Sequence, residues 1–138
     1  MNHKTEIQVR FSDLDMVGHV HNAIYLSYFE QGRIDFLNGI ASNEWEWTKR
    51  GIVLGRNEID YIEPIVLHDE VFVNTRCEHV GNKSFTLSYE IYKKSEGNNI
   101  LCTKGRTILV CKNFETNESV PLFEEWKELL EDSIQIKR

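Results

Sequence analysis

Three long runs in the second half of the chain alternate apolar and polar residues with a period of two, and only short turns separate them. Val71, Val73 and Cys77 mark one face of residues 71–80. Gly81-Asn82 then supplies a tight turn. Phe85, Leu87, Tyr89 and Ile91 share one face of the next run, with Thr86, Ser88 and Glu90 opposite. Glu96-Gly97-Asn98-Asn99 is a second hairpin signal, and residues 100–111 return. Period two is the mark of a half-buried strand, because successive side chains point to opposite faces. Strands joined this tightly lie antiparallel, since a parallel pair needs a crossover of a dozen residues or more. The stretch therefore predicts an antiparallel sheet with an apolar face that needs cover.

The front half holds the cover. From about Asn22, the residues Tyr25, Phe29, Gly32 and Phe36 recur at helical spacing, flanked by Leu26 and Leu37, and Asn38-Gly39 supplies a stop. Asn22 is placed as an N-cap or first-turn residue. Before this helix, Ile7, Val9 and Phe11 alternate with Glu6, Gln8 and Arg10, which predicts a strand. After it, residues 52–62 read as another strand, ended or bent by Glu63-Pro64. A short amphipathic stretch, residues 123–130, closes the pattern behind Pro121. The order is β–α–β–β–β–β–α: an α+β fold, with one long helix covering a face of an antiparallel sheet. Long strands on hairpin turns also leave open edges, and pairing with a second copy closes such an edge, so a homo-oligomer is expected.

The chain has 138 residues, the size of one domain, and no repeat, low-complexity tract or linker divides it, so residues 1–138 read as a single domain. Its 16 Lys and Arg against 22 Asp and Glu give a net charge of −6. That balance opposes nucleic-acid binding, which needs clustered cations to release phosphate counterions. No apolar run approaches the ~20 residues that span a bilayer. The opening residues lack the apolar core of a signal peptide. Cys77, Cys102 and Cys111 are odd in number and without a CxxC pair, which predicts reduced thiols in a cytoplasmic protein.

The chemistry-bearing residues gather in one place. Asp13, Asp15, His19, His21 and Asn22 fall within ten residues, between the first strand and the helix. A helix N-terminus presents unpaired N–H groups and a partial positive charge, which stabilise an oxyanion when a carbonyl is held there. A carboxylate just upstream can then activate water or attack directly. The same residue types also form caps and turns, so the loop by itself leaves both readings open. Metal binding is disfavoured: His19 and His21 are two apart rather than at the i, i+4 spacing of a helical pair, and no Cys or Glu cluster joins them. No cofactor is expected.

The segment Val9-Arg10-Phe11-Ser12-Asp13-Leu14-Asp15-Met16-Val17-Gly18-His19-Val20-His21-Asn22-Ala23-Ile24-Tyr25-Leu26-Ser27-Tyr28-Phe29-Glu30 resembles the opening motif of the hotdog-fold acyl-CoA thioesterases, in particular the 4-hydroxybenzoyl-CoA thioesterase-like group. Asn57-Glu58-Ile59-Asp60-Tyr61-Ile62-Glu63-Pro64, Asp69-Glu70-Val71 and Thr103-Lys104-Gly105-Arg106-Thr107 extend the likeness along most of the chain. The resemblance implies a hotdog fold: a curved sheet wrapped round the helix at 22–37, with Gly32 letting the two approach closely. It implies hydrolysis of an acyl-CoA, and a homodimer or homotetramer with active sites at the dimer interface. Asp15 takes the place of the catalytic carboxylate, and the backbone N–H at Asn22 that of the oxyanion donor. Some relatives carry a His where this chain has Asn22, so a His-dependent mechanism does not transfer; His21, one residue away, serves only if the loop turns differently.

Asp13 is expected to order the loop, and His19 to pack or hydrogen-bond behind Asp15. Tyr25 belongs to the acyl pocket or to the core. Trp45 and Trp47 cap the acyl tunnel or pack at its rim. Lys83, in its Gly81-Asn82-Lys83-Ser84 turn, and Arg56 are the preferred contacts for the phosphates of coenzyme A, with Arg50, Lys104 and Arg106 as further cations. Two other readings stand beside this one: a non-catalytic acyl- or CoA-binding module, and a thioesterase acting on acyl-carrier protein. A dehydratase of this fold is disfavoured, because residues 23–37 contain no His.

Overall fold

A computed structural model describes residues 3–136. Strands β1 (His3–Ile7), β2 (Arg50–Tyr61), β3 (Val71–Val80), β4 (Ser84–Ser95), β5 (Asn98–Asn113) and β6 (Glu118–Ser119) form one antiparallel sheet. The strand order is β1-β3-β4-β5-β2, with β6 paired to β5. Helix α1 (Ile24–Asn38) packs against β1, β3 and β4, and α2 (Glu124–Ile136) packs against β3. This is the α+β arrangement of a curved sheet around one long helix, with the C-terminal helix longer than residues 123–130. The hairpins fall at the turn residues: Gly97 takes φ +74° between β4 and β5, a conformation that glycine adopts without strain.

The core is the interface between α1 and the sheet. Tyr25, Tyr28, Phe29, Gly32, Phe36 and Leu37 are the buried face of α1, and they meet Val73, Leu87, Tyr89, Ile91 and Leu109 from the strands. Each large apolar side chain removed from water contributes roughly 1.5–3 kcal/mol. Close approach is built in by two glycines. A Cβ on Gly32 would stand 2.6 Å from Thr75 Oγ1 and 2.8 Å from Val73 Cγ1. One on Gly105 would meet the Glu58 carbonyl and lie 2.7 Å from the Phe29 ring. Phe29 instead stacks on Tyr89, 4.4 Å between centroids.

The first strand lies earlier than the alternation of Ile7, Val9 and Phe11 predicts. Ile7 and Val9 are buried, but Phe11 is 80% exposed, and the ladder with β3 stops at Ile7 paired with Val71. The backbone N–H of Arg10 is taken by Asp13 Oδ2 at 3.0 Å, which starts a 3-10 turn at Phe11–Asp13. Asn22 is likewise not the N-cap. That position is Ala23, whose own N–H donates to His21 Nδ1 at 3.1 Å.

Candidate active site

Residues 13–20 form a miniature hairpin in front of α1. The N–H of Asp15 donates to the His19 carbonyl at 2.7 Å, that of Gly18 to the Asp15 carbonyl at 3.1 Å, and that of Val20 to the Ile65 carbonyl at 2.8 Å. Gly18 has φ +87°, a left-handed conformation that the tight turn requires and a side chain would resist. The Asp15 side chain closes the turn from inside: its Oδ1 accepts from the Val17 N–H at 2.9 Å and the His19 N–H at 3.1 Å. Its Oδ2 accepts no hydrogen bond among the described residues, so one oxygen is pinned and the other is not.

A buried carboxylate locks this hairpin onto the helix. Asp13 is 3% exposed. Its Oδ2 accepts the Tyr28 hydroxyl at 2.8 Å as well as the Arg10 N–H, and its carbonyl accepts the His21 N–H at 2.9 Å. Burial, and then the adjacent Asp13 charge, push the Tyr28 phenol well above its ordinary pKa, so it remains a donor. Tyr28 was legible in the sequence only as one more aromatic in the helical pattern; nothing marked its hydroxyl as the partner of Asp13.

Asp15, His19, Asn22, Tyr25, Tyr61 and Pro64 line one open pocket of about 310 Å³. Asn22 is held through its carbonyl, which accepts the Tyr61 hydroxyl at 2.9 Å, and its own N–H makes no hydrogen bond among the described residues. The ring of Tyr61 meets that of Tyr25 edge-on, 5.2 Å apart. Tyr25 is thus both core and pocket wall; burial raises its pKa, against a hydrogen bond to the Ile65 backbone that lowers it. Asp15, with one unbonded carboxylate oxygen, and Asn22, with an unbonded N–H, thus line the same pocket, and a carboxylate and an N–H donor are groups that acyl transfer can use.

The other predicted residues lie elsewhere. His21 is exposed and occupied with the Ala23 N–H, outside the residues that line the pocket. Lys83 sits at the far end of the sheet: Tyr61 pairs with Thr103, whereas Ser84 pairs with Val110, seven residues or about 23 Å further along β5. Arg56 leaves the sheet on the face away from α1, beside Glu58 at 3.7 Å. Arg106 on the same face reaches Glu58 at 3.7 Å and Glu78 at 3.0 Å. Arg50 stacks on Trp45 and Phe123 and pairs with Glu125 at 2.8 Å, in a cluster with Trp126 at the opposite end of the fold. Among the described residues no three His, Cys, Asp or Glu side chains converge as a metal centre. No helix is long and apolar enough to cross a membrane.

A curved antiparallel sheet wrapped round one long helix is the hotdog fold. Residues 9–130 match the model of the thioesterase-like superfamily, and the chain belongs to that family; it is a thioester hydrolase. FadM, a long-chain acyl-CoA thioesterase of Escherichia coli (strain K12), is 30% identical over 133 residues, 96% of this chain and 99% of FadM. A thioesterase from Thermus thermophilus, crystallised with coenzyme A and zinc, is 34% identical with a TM-score of 0.81, covering 96% of this chain and 93% of that one. A 4-hydroxybenzoyl CoA thioesterase superposes with a TM-score of 0.86 over 94% of this chain and 98% of its own, at 14% identity, a likeness of fold alone.

Proposed function

We propose that this protein hydrolyses an acyl-CoA thioester to the free acid and coenzyme A, with Asp15 as the catalytic carboxylate. The observation that carries the assignment is the division of labour at Asp15, one oxygen fixed by two backbone N–H groups and the other open to the pocket that also holds the Asn22 N–H. The thioester oxygen lies on the Asn22 N–H, where the start of α1 stabilises the developing charge. Asp15 takes a proton from water, or attacks the carbonyl itself to give an anhydride that water opens. Either way the C–S bond breaks, the hydroxyl ends on the acyl carbon, and the proton ends on the departing thiolate.

The working unit is a homodimer joined through β2, in the cytoplasm. The sheet order leaves β1 and β2 at its edges, and among the described residues β2 pairs with a strand on one side only, β5. Two-fold antiparallel pairing lays the Tyr61 end of one β2 beside the Arg50 end of the other. The Lys83 turn belongs to the Arg50 end, because the Lys83 carbonyl accepts the Cys111 N–H and Cys111 pairs with Ile52. A second copy therefore carries its own Lys83 toward the Asp15 pocket, which one copy does not do. Lys83 and Arg56 are our choices for the coenzyme A phosphates, and His19 and Tyr25 for the acyl end. Three buried, unbridged cysteines fit a reducing compartment.

The test is thiol release from a panel of acyl-CoAs by wild type and Asp15→Asn. The amide keeps an oxygen for the Val17 and His19 N–H groups, so the turn survives while the carboxylate is lost. We expect turnover to fall by at least about a hundredfold, with the oligomer unchanged by light scattering. Saturable CoA binding without turnover in either form would make the protein a binding module instead.

A further inference from the structure

A second opening lies on the same side of the molecule as the Asp15 pocket, between α1 and β2. It is a groove of about 490 Å³ with an apolar wall of Ile34, Leu37, Ile52 and Leu54, and Glu30, Arg33 and Asn38 also line it. The Arg33 side chain is only 13% exposed. A guanidinium has five N–H donors and no acceptor. Among the described residues Arg33 makes one hydrogen bond, Nη1 to the Tyr89 hydroxyl at 3.2 Å. Its one ion pair is loose, 3.9 Å from Nη2 to the exposed Glu30 carboxylate.

The tyrosine leads into a polar seam. Tyr89 neighbours Thr107, and the Thr107 hydroxyl donates to Asn57 Oδ1 at 3.0 Å. The Tyr89 oxygen accepts from Arg33, and Thr107 spends its proton on Asn57. Toward the groove, Arg33 presents its other N–H groups. A cation with unused donors beside an apolar wall is costly when a plain hydrocarbon excludes its water, and favourable when an oxygen arrives with the hydrocarbon.

Resting on the hydrolase reading above, we infer that Arg33 is a specificity-determining residue that takes an oxygen carried on the acyl chain, so that the enzyme prefers acyl groups bearing a hydroxyl, oxo or carboxyl group over plain alkyl ones. Tyr25 of the Asp15 pocket and Arg33 are eight residues apart on α1, about 12 Å along its axis. The recognised oxygen accordingly lies toward the distal end of a medium-length chain.

The experiment compares kcat/KM for CoA thioesters of matched medium length, plain or carrying a terminal hydroxyl or carboxyl. Wild type is expected to favour the oxygenated substrates by about tenfold or more, because an analogue lacking the oxygen leaves buried donors unpaired. Arg33→Met should bring that ratio close to one through KM, Arg33→Lys should keep part of it, and Tyr89→Phe should lower it by a smaller factor. Equal or better hydrolysis of the plain substrates by wild type overturns the inference. So does a ratio that Arg33→Met leaves unchanged. Should the Met variant not fold, the wild-type ratio and the Tyr89→Phe ratio decide. Absence of thiol release from every substrate overturns the hydrolase reading itself, and this inference with it; release without discrimination overturns this inference alone.

Discussion

Removing one oxygen from Tyr28 should weaken both the fold and the site. Tyr28 is 1% exposed, so Tyr28→Phe opens no surface and changes volume by little. What it removes is the hydrogen bond to Asp13 Oδ2, leaving a carboxylate that is 3% exposed with the Arg10 N–H as the one remaining donor to that oxygen. Hydrogen bonds to charged groups contribute about 1.5–3 kcal/mol, and the loss falls on a group with no access to water in exchange. At about 3 °C per kcal/mol for a domain of this length, the melting temperature should drop by roughly 5–9 °C. In urea the midpoint should fall by about 1 M with an unchanged slope. All samples must share one protein concentration, because association shifts apparent stability. A double-mutant cycle with Asp13→Asn should give a coupling above about 1 kcal/mol. A loss below about 0.5 kcal/mol, or no coupling, would refute the claim that this pair holds the hairpin of residues 13–20 to α1.

Three further outcomes follow from the same structure. Gly32→Ala places a methyl against Thr75 and Val73; the helix gains up to about 1 kcal/mol of propensity but overpacking costs about 1–3, so a net loss should appear in thermal melts. All three cysteines are buried, and burial pushes the thiols of Cys77 and Cys111 up to about 11, so a colorimetric thiol reagent should find them slow in the native protein and fast in denaturant, giving thiol-release assays a low blank. The Thr5 hydroxyl and then the His3 ring hold the Asp35 carboxyl below its usual value; the stabilisation is present above the ordinary carboxylate pKa and is lost as pH falls through the lowered one. Asp35→Asn should therefore be the less stable form at neutral pH, by a small amount because the site is half exposed, and the difference should vanish in the acid limb of a pH–denaturation series.

The strands were readable because their alternation is uninterrupted where they matter: residues 71–80 are both the predicted run and β3, and Phe85, Leu87, Tyr89 and Ile91 are all buried on one side of β4. The first strand was misplaced because Val9 is buried without being in the ladder, and Asp13 claims the Arg10 N–H that pairing would need. At the site, Asp15, His19, Asn22 and Tyr25 are contiguous enough that a short-range pattern brings them together. Tyr61 was out of reach, since the β2–β5 register places it at the pocket and nothing in its neighbourhood announces that register. Arg33 falls one position past Gly32, inside a helix whose other inward residues are apolar, and only the fold shows its guanidinium against Tyr89. Lys83 illustrates the opposite limit: its turn is the one predicted, yet its distance from Asp15 within one chain belongs to the length of β5.

The register shift between Leu54 and Arg56 gives β2 two reading frames. Before it, Ile52 and Leu54 look toward α1; after it, Asn57, Ile59 and Tyr61 do, because the bulge sets Gly55 aside and Arg56 takes the β5 partner next to that of Leu54. Deleting Gly55 would leave an unbroken alternation, Leu54 inward, Arg56 outward and Asn57 inward, with every β5 partner retained and only the local twist of the bulge lost. The two halves serve different openings, Ile52 and Leu54 the groove and Tyr61 the pocket. Side chains at 52 and 54 can therefore be resized to reshape the groove without touching the Tyr61 hydroxyl that holds the Asn22 carbonyl, which makes this strand the natural place to begin remodelling the protein.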